Sequence, residues 1–171
     1  MKGMVHVYTG NGKGKTTAAF GLALRGIGAG KSVYIIQFIK SMEYSEIKAF
    51  KKYFPFVPIE QFGRGCFIIN KPEKEDILEA KKGFERVKEL LKRKDIDILI
   101  LDEINIAIYY GMIDCAELIE QLKNRNQEME VVITGRYAKK ELIDFADLVT
   151  EMKEVKHYYN SGVKARDGIE R

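Results

Sequence analysis

An α/β fold built on a doubly wound, mostly parallel sheet is what this chain predicts, and three observations predict it. Short apolar runs alternate with helix-period segments from one end to the other, which is the βαβ signature. Several of those runs, such as Ser32 to Phe38 and Asp97 to Leu101, are apolar without alternation, as strands covered on both faces are. The first run feeds a glycine-rich turn that opens at once into a helical segment. A length of 171 residues suits a single domain spanning 1–171, large enough to bury a substantial core.

The elements follow in order. Val5 to Thr9 is β-branched and aromatic and reads as the first strand; Ala18 to Leu24 lies in the helix after the glycine turn, which stops at the glycines of 26–30. Ser32 to Phe38 is the second strand, Glu43 to Tyr53 a short helix, and Val57 to Phe62 a further short strand. Gly63 to Ile69 is broken by two glycines and reads as a loop near the site. From Pro72 onward Ile77, Ala80, Phe84, Val87 and Leu91 fall three or four apart on one stripe. Acidic residues at its start and Lys92, Arg93 and Lys94 at its end suit the helix dipole. Asp97 to Glu103 is a buried strand ending in two carboxylates. Asp114 with Glu117, and Ile113 with Leu118, have capping-box and staple spacing for the next helix, so those acids read as caps. Glu130 to Arg136 is another buried strand, Ala138 to Ala146 a helix and Leu148 to Met152 the last strand. The polar tail, 156–171, is expected to be ordered only by docking near the site.

Five features are candidates to carry chemistry. Thr9-Gly10-Asn11-Gly12-Lys13-Gly14-Lys15-Thr16-Thr17 is a phosphate-binding loop in strand–loop–helix context, except that Thr9 stands where the usual pattern has its first glycine. Curled backbone at Gly10, Gly12 and Gly14 points successive N–H groups inward as an anion nest. Lys15 adds a mobile cation, the Thr16 hydroxyl a magnesium ligand. Asp102, after four apolar residues, fits the carboxylate that holds Mg²⁺ directly or through water; otherwise it merely ends a strand. Glu103 could ligate the metal, orient a ribose hydroxyl or activate water. Arg136, delivered by a strand end, is placed to bind a phosphate with two bonds. Arg25, in the last turn of the first helix, either reaches the nucleotide or pairs with its own helix end. The expected fold is thus of the P-loop NTPase, RecA-like type, with ATP and Mg²⁺ gathered at the strands' C-terminal ends.

Composition narrows the class. Cys66, Cys115, His6 and His157 are too few and too scattered for a disulfide framework or a zinc site. The net charge of +4 comes from interleaved signs, not a basic arm, which argues against nucleic acid. No apolar run approaches the ~20 residues a membrane span needs. Met1 to Met4 enters the first strand without a secretory segment, so a cytoplasmic protein is expected.

Five stretches, Thr9–Arg25, Val33–Lys40, Leu101–Asn105, Ile133–Arg136 and Val155–Glu170, together resemble the P-loop family of ATP:corrinoid adenosyltransferases, and within it the cob(I)yrinic acid a,c-diamide enzymes. The likeness covers nearly the whole chain in order, and it includes a loop of the Thr-Gly-x-Gly-Lys-Gly-Lys-Thr form. The resemblance implies attack of a Co(I) corrinoid on C5′ of ATP with release of tripolyphosphate. Phosphate contacts from Gly10 to Thr16, with Thr17 beside them, would follow, as would Mg²⁺ ligands in Thr16 and Glu103 and nucleotide contacts from Arg25 and Arg136. It implies catalytic roles for Lys15, Glu103 and Arg136. Its partners would be cobalamin, cobinamide or cobyrinic acid diamide, an electron donor such as a flavoprotein, and a second copy in a homodimer. Some relatives carry an aromatic pair in the loop matching Arg64 to Ile69, where this chain has Cys66 and Phe67. A P-loop phosphotransferase or ATPase is the alternative, and a non-enzymatic or DNA-associated ATP module the next.

Overall fold

The computed structural model describes residues 2–65 and 71–170. Its strands are β1 (Val5–Thr9), β2 (Val33–Lys40), β3 (Ile59–Gly65), β4 (Ile98–Asp102), β5 (Glu130–Thr134) and β6 (Leu148–Glu151). Its helices are α1 (Lys15–Gly28), α2 (Ser45–Tyr53), α3 (Lys74–Leu90), α4 (Ile104–Tyr109), α5 (Cys115–Lys123) and α6 (Lys140–Phe145), with a 3₁₀ turn at Tyr158–Ser161. The strand order is β3-β2-β4-β5-β1-β6, and every pairing is parallel. This is the doubly wound α/β sheet expected, with all described strands parallel. Among the described residues no helix is long and apolar enough to cross a membrane.

Parallel strands need crossover helices, and those helices cover both faces, so β2 and β4 are apolar on both sides. Alternate residues of β2 face opposite layers. Val33 and Ile35 pack with Ala19, Phe20 and Ala23 of α1 and with Ile47 and Phe50 of α2. Tyr34, Ile36 and Phe38 pack with Phe84 and Val87 of α3, Ile104 and Ile108 of α4 and Leu118 of α5. The stripe foreseen on α3 is buried at Ala80, Phe84, Val87 and Leu91. Its start carries a capping box, Glu73 with Asp76. Asp114 caps α5 by accepting from the Glu117 amide (2.8 Å), while the Glu117 carboxylate goes to Lys88 instead (2.5 Å).

Several boundaries differ from the sequence reading by a residue or two, and those around β3 matter most. Helix α2 starts at Ser45 and β3 at Ile59, each two residues later than expected. Gly63 to Gly65, expected in a loop, continue β3; Cys66 to Ile69 lie outside the described residues. The reason is pairing. Gly63 sits against Ile39 and Gly65 against Lys40, so the ladder with β2 overrides the glycines' turn preference. Helix α4 was not foreseen, because six residues are too few to show a 3.6-residue period.

The β2–β3 register slips between Ile39 and Lys40, and Ile39 has φ 69°, a left-handed conformation that a β-branched residue adopts at a cost of about 1–3 kcal/mol. Gly63 permits the close approach. A Cβ there would stand 2.3 Å from the Ile39 carbonyl carbon and oxygen, both rigid backbone. Gly63→Ala should therefore destabilise the protein by about 1–3 kcal/mol, read as a lowered urea midpoint at unchanged slope. An unshifted midpoint would mean that the strands separate there freely.

Candidate functional site

Strand β1 ends at Thr9, whose hydroxyl accepts from the Ala138 amide at 3.3 Å. That explains the threonine in place of glycine: the residue is still strand, and the turn begins one place later. Gly10 (φ 95°) and Gly14 (φ 114°) supply the left-handed backbone that curls the loop. The turn is also braced from outside. Gly12 N donates to Met152 O (2.6 Å) and Met152 N to Thr9 O (2.8 Å), and a Cβ at Gly10 or Gly12 would fall 2.5 or 2.6 Å from that Met152 oxygen.

Lys15 begins α1 and is buried, its Nζ donating to Gly10 O and Gly12 O at 2.7 Å each. Burial, with the nearby Arg136 charge adding to it, lowers its pKa from the ordinary lysine value. A desolvated ammonium aimed into a loop of amides is poised to gain from an arriving anion.

Asp102 closes β4 with no exposure at all. Its Oδ1 accepts from the Thr16 hydroxyl (2.9 Å) and the Thr134 hydroxyl (2.6 Å), and its Oδ2 from Gln37 Nε2 (2.9 Å). Gln37 is held in turn by Gln61 (2.7 Å). Glu103 follows in a left-handed conformation, φ 61°, with its amide donating to Thr134 Oγ1 (3.0 Å). That twist ends the strand and turns the Glu103 side chain into the cavity.

Lys40 sits opposite, Nζ 3.3 Å from Glu103 Oε1 and 3.8 Å from Asp102 Oδ2. Burial pulls its pKa down, but Asp102 and Glu103 outweigh that, and the net shift is upward. Arg136 stands beyond β5, in a turn set by Gly135 (φ 128°) and Tyr137 (φ 61°), and reaches Asn11 O at 3.4 Å. Asn105 Nδ2 holds that turn by donating to Gly135 O (3.2 Å).

These groups meet around a cavity of about 890 Å³, at the large end of the range for small-molecule sites. Asn11 to Thr17 form its floor, with Lys40, Glu103 and Arg136 on its walls. Asp102 lies beneath, reached through Thr16. Arg25 is elsewhere: exposed, ten residues along α1 from Lys15, hence about 15 Å up the axis, and absent from the cavity wall.

The tail closes one side, through His157, Tyr159, Asn160 and Ile169. It is pinned to the loop by Lys13 Nζ, which donates to Glu170 Oε1 (2.9 Å) and Tyr158 OH (3.0 Å). Glu170 also accepts from the Arg166 amide (2.8 Å) and from the Tyr158 hydroxyl. Hydrogen bonds from Arg166 foremost, then Lys13 and Tyr158, hold its carboxyl well below the ordinary glutamate range.

Sequence reasoning missed Lys40, Thr134, Gln37 and the Lys13–Glu170 contact. Lys40 and Thr134 stand at strand ends, so a search there for polar residues would have found both. Gln37, inside an apolar run, was itself a signal, since a buried amide needs partners. Nothing in the sequence pairs Lys13 with a residue so far along the chain.

Fold and loop together define a P-loop nucleotide-binding α/β protein. A family model described as ATP:corrinoid adenosyltransferase BtuR/CobO/CobP matches residues 1–171, and this chain belongs to that family. It is 42% identical to a corrinoid adenosyltransferase of a Sinorhizobium species over 172 residues, 99% of this chain and 80% of that one. The corrinoid adenosyltransferases of Pseudomonas aeruginosa and Escherichia coli K12 are 36% and 34% identical over 170 residues, covering 99% of this chain and 84% and 86% of theirs. Among solved structures, domain III of the Thermotoga maritima replication initiation protein DnaA aligns at a TM-score of 0.45 and 16% identity, over 86% of this chain and 53% of that one, too loosely to bear on function.

Glu170→Gln should free the tail. Hydrogen–deuterium exchange of residues 156–170 at neutral pH is expected to rise several-fold, with strands β1 and β4 unchanged. Because the Glu170 pKa is depressed, the contact is complete above the ordinary value of 4.5 and fades only as pH falls below it. Wild-type protection should thus persist at about pH 5; its loss there would contradict the pairing.

Proposed function

We propose that this chain transfers the 5′-deoxyadenosyl group of ATP to the Co(I) centre of a reduced corrinoid, in cobalamin biosynthesis or salvage. The observation carrying this reading is a glycine-rich loop beside a pocket that holds Lys15, Lys40 and Arg136, at the strand ends of a chain matched from end to end by an adenosyltransferase family. The cobalt of the substrate is the nucleophile, so no protein nucleophile is required. Its electron pair forms the Co–C bond while the C5′–O bond breaks, and the leaving tripolyphosphate takes that bond's electrons.

The protein's work is then positioning and charge stabilisation. Amides of Gly10 to Thr17, Lys15 and Arg136 are assigned to the phosphates, where charge grows as the C–O bond breaks. C5′ must face the corrinoid, which requires the phosphate chain to be gripped from its far side. The tail residues His157 and Tyr159 wall the cavity and would limit water near a strongly reducing Co(I). Arg25, distant from the cavity wall, is assigned no contact in this arrangement.

The donor set fits a magnesium ion. Thr16 Oγ1, Glu103 and Asp102 offer hard oxygens only, too few for an all-protein cage, and Mg²⁺ prefers one or two carboxylates completed by phosphates and waters. Bound there, it would neutralise phosphate charge. Among the described residues no cluster of three His, Cys, Asp or Glu side chains forms an alternative metal site. An electron donor of the flavoprotein kind, to maintain Co(I), and a homodimeric assembly in the cytoplasm belong to the same proposal.

Incubation with ATP, Mg²⁺ and chemically reduced cobalamin should yield the visible spectrum of a light-sensitive adenosylated product and one tripolyphosphate per turnover. ADP as the product would instead identify a phosphotransferase or ATPase. Lys15→Ala and Thr16→Ala should each lower kcat/KM at least about 100-fold with the fold retained. Near-normal turnover in either variant would contradict the assigned roles.

A further inference from the structure

Lys40 has no role in the reaction described above, yet the fold strains itself to place it. The slipped register after Ile39, with its left-handed backbone, points the Lys40 side chain inward, where it is 14% exposed. Gly63 makes room for the bend. The ammonium ends 3.3 Å from Glu103 Oε1 and 3.8 Å from Asp102 Oδ2, with its Nζ 5.3 Å from the centre of the Tyr44 ring. These two carboxylates are the pair assigned to magnesium. Lys40 also lines the same cavity as Lys15 and Arg136, within the space assigned to phosphates.

An ammonium and a divalent cation compete for the same oxygens, because each gains its energy from the same negative potential. A lysine can yield. Its charge rides on a flexible four-carbon stem, and phosphate oxygens offer it a partner at least as good as a carboxylate. We propose that Lys40 is a positioning residue that makes metal loading conditional on nucleotide. It serves as the internal counter-ion of Asp102 and Glu103, and it transfers to the phosphate chain when ATP arrives, releasing the carboxylates to the metal. This rests on the magnesium site assigned under the proposed function. The arrangement keeps the two carboxylates from taking a free cation before the substrate is bound, and it adds a third cationic side chain to the leaving polyphosphate. Binding of metal and of nucleotide must then be coupled, and linkage makes the coupling reciprocal.

The test uses Mn²⁺ as the metal probe, its free concentration followed by electron paramagnetic resonance, with full-length protein alone and with a non-hydrolysable ATP analogue. In the wild type, the analogue should tighten Mn²⁺ binding by at least about tenfold. Lys40→Met should bind Mn²⁺ without nucleotide about tenfold more tightly than the wild type, and the analogue more weakly, so that the coupling collapses. Lys40→Arg should restore most of it. A gain of metal affinity is not what general structural damage produces. Should Lys40→Met fail to fold by circular dichroism, Lys40→Gln is judged by the same criteria. Equal nucleotide-free Mn²⁺ affinities in variant and wild type overturn the role of Lys40 while leaving the magnesium site standing. Failure of the wild type to take Mn²⁺ even with the analogue overturns both.

Discussion

The Asp102 carboxylate is the interaction on which this structure turns. A fully buried charge costs several kcal/mol unless its lone pairs are matched, and here they are matched from four directions. Thr16 reaches it from α1, Gln37 from within β2, Thr134 from β5 and the Lys40 charge from the end of β2. One side chain thereby ties the phosphate loop to the centre of the sheet. Removing any partner leaves a desolvated oxygen under-satisfied, so the four elements are registered with respect to each other more finely than apolar packing could manage. The same group lies directly beneath the hydroxyl assigned to the metal. Structural demand and chemical demand therefore fall on the same atoms.

The backbone carries a second trace of the site. Among the described residues, left-handed conformations occur at three non-glycine positions, Ile39, Glu103 and Tyr137. They stand at or just past the C-terminal ends of β2, β4 and β5. Each aims a neighbouring or its own polar side chain, Lys40, Glu103 or Arg136, across the cavity rather than along the sheet. Strain of this kind persists only where the surroundings over-determine it. Thr134 holds the Glu103 amide, Gly63 admits Ile39, and Asn105 fixes the Gly135 carbonyl. A parallel sheet gathers its strand ends at one edge, but it does not by itself turn side chains inward; these three kinks do.

The tail shows a different logic. Residues 156–170 contribute little to the core, and their grip on the body is mostly polar, centred on Glu170 and Lys13. Such contacts are strong enough to order a short segment and weak enough to be exchanged. A wall made this way can seal one side of a large cavity without being part of the folded core.

Much was legible in the chain before any coordinates. The alternation of buried strands and periodic helices comes from side-chain period alone, and it determined the sheet class. The order of Gly10, Gly12, Gly14, Lys15 and Thr16 determined the loop, because the curl of that backbone is a local property of its glycines. Asp102, Glu103 and Arg136 could be found at strand ends, since topology alone sends those ends to one place. Arg25 shows the limit of that reasoning: proximity in sequence to the loop put it in view, and the rise of α1 carried it away. Lys40 shows the converse. Its position depends on a register slip between two strands, on an unfavourable φ at Ile39 and on a glycine more than twenty residues later. None of these is a local preference; each is an agreement between distant segments, which only the assembled sheet could decide.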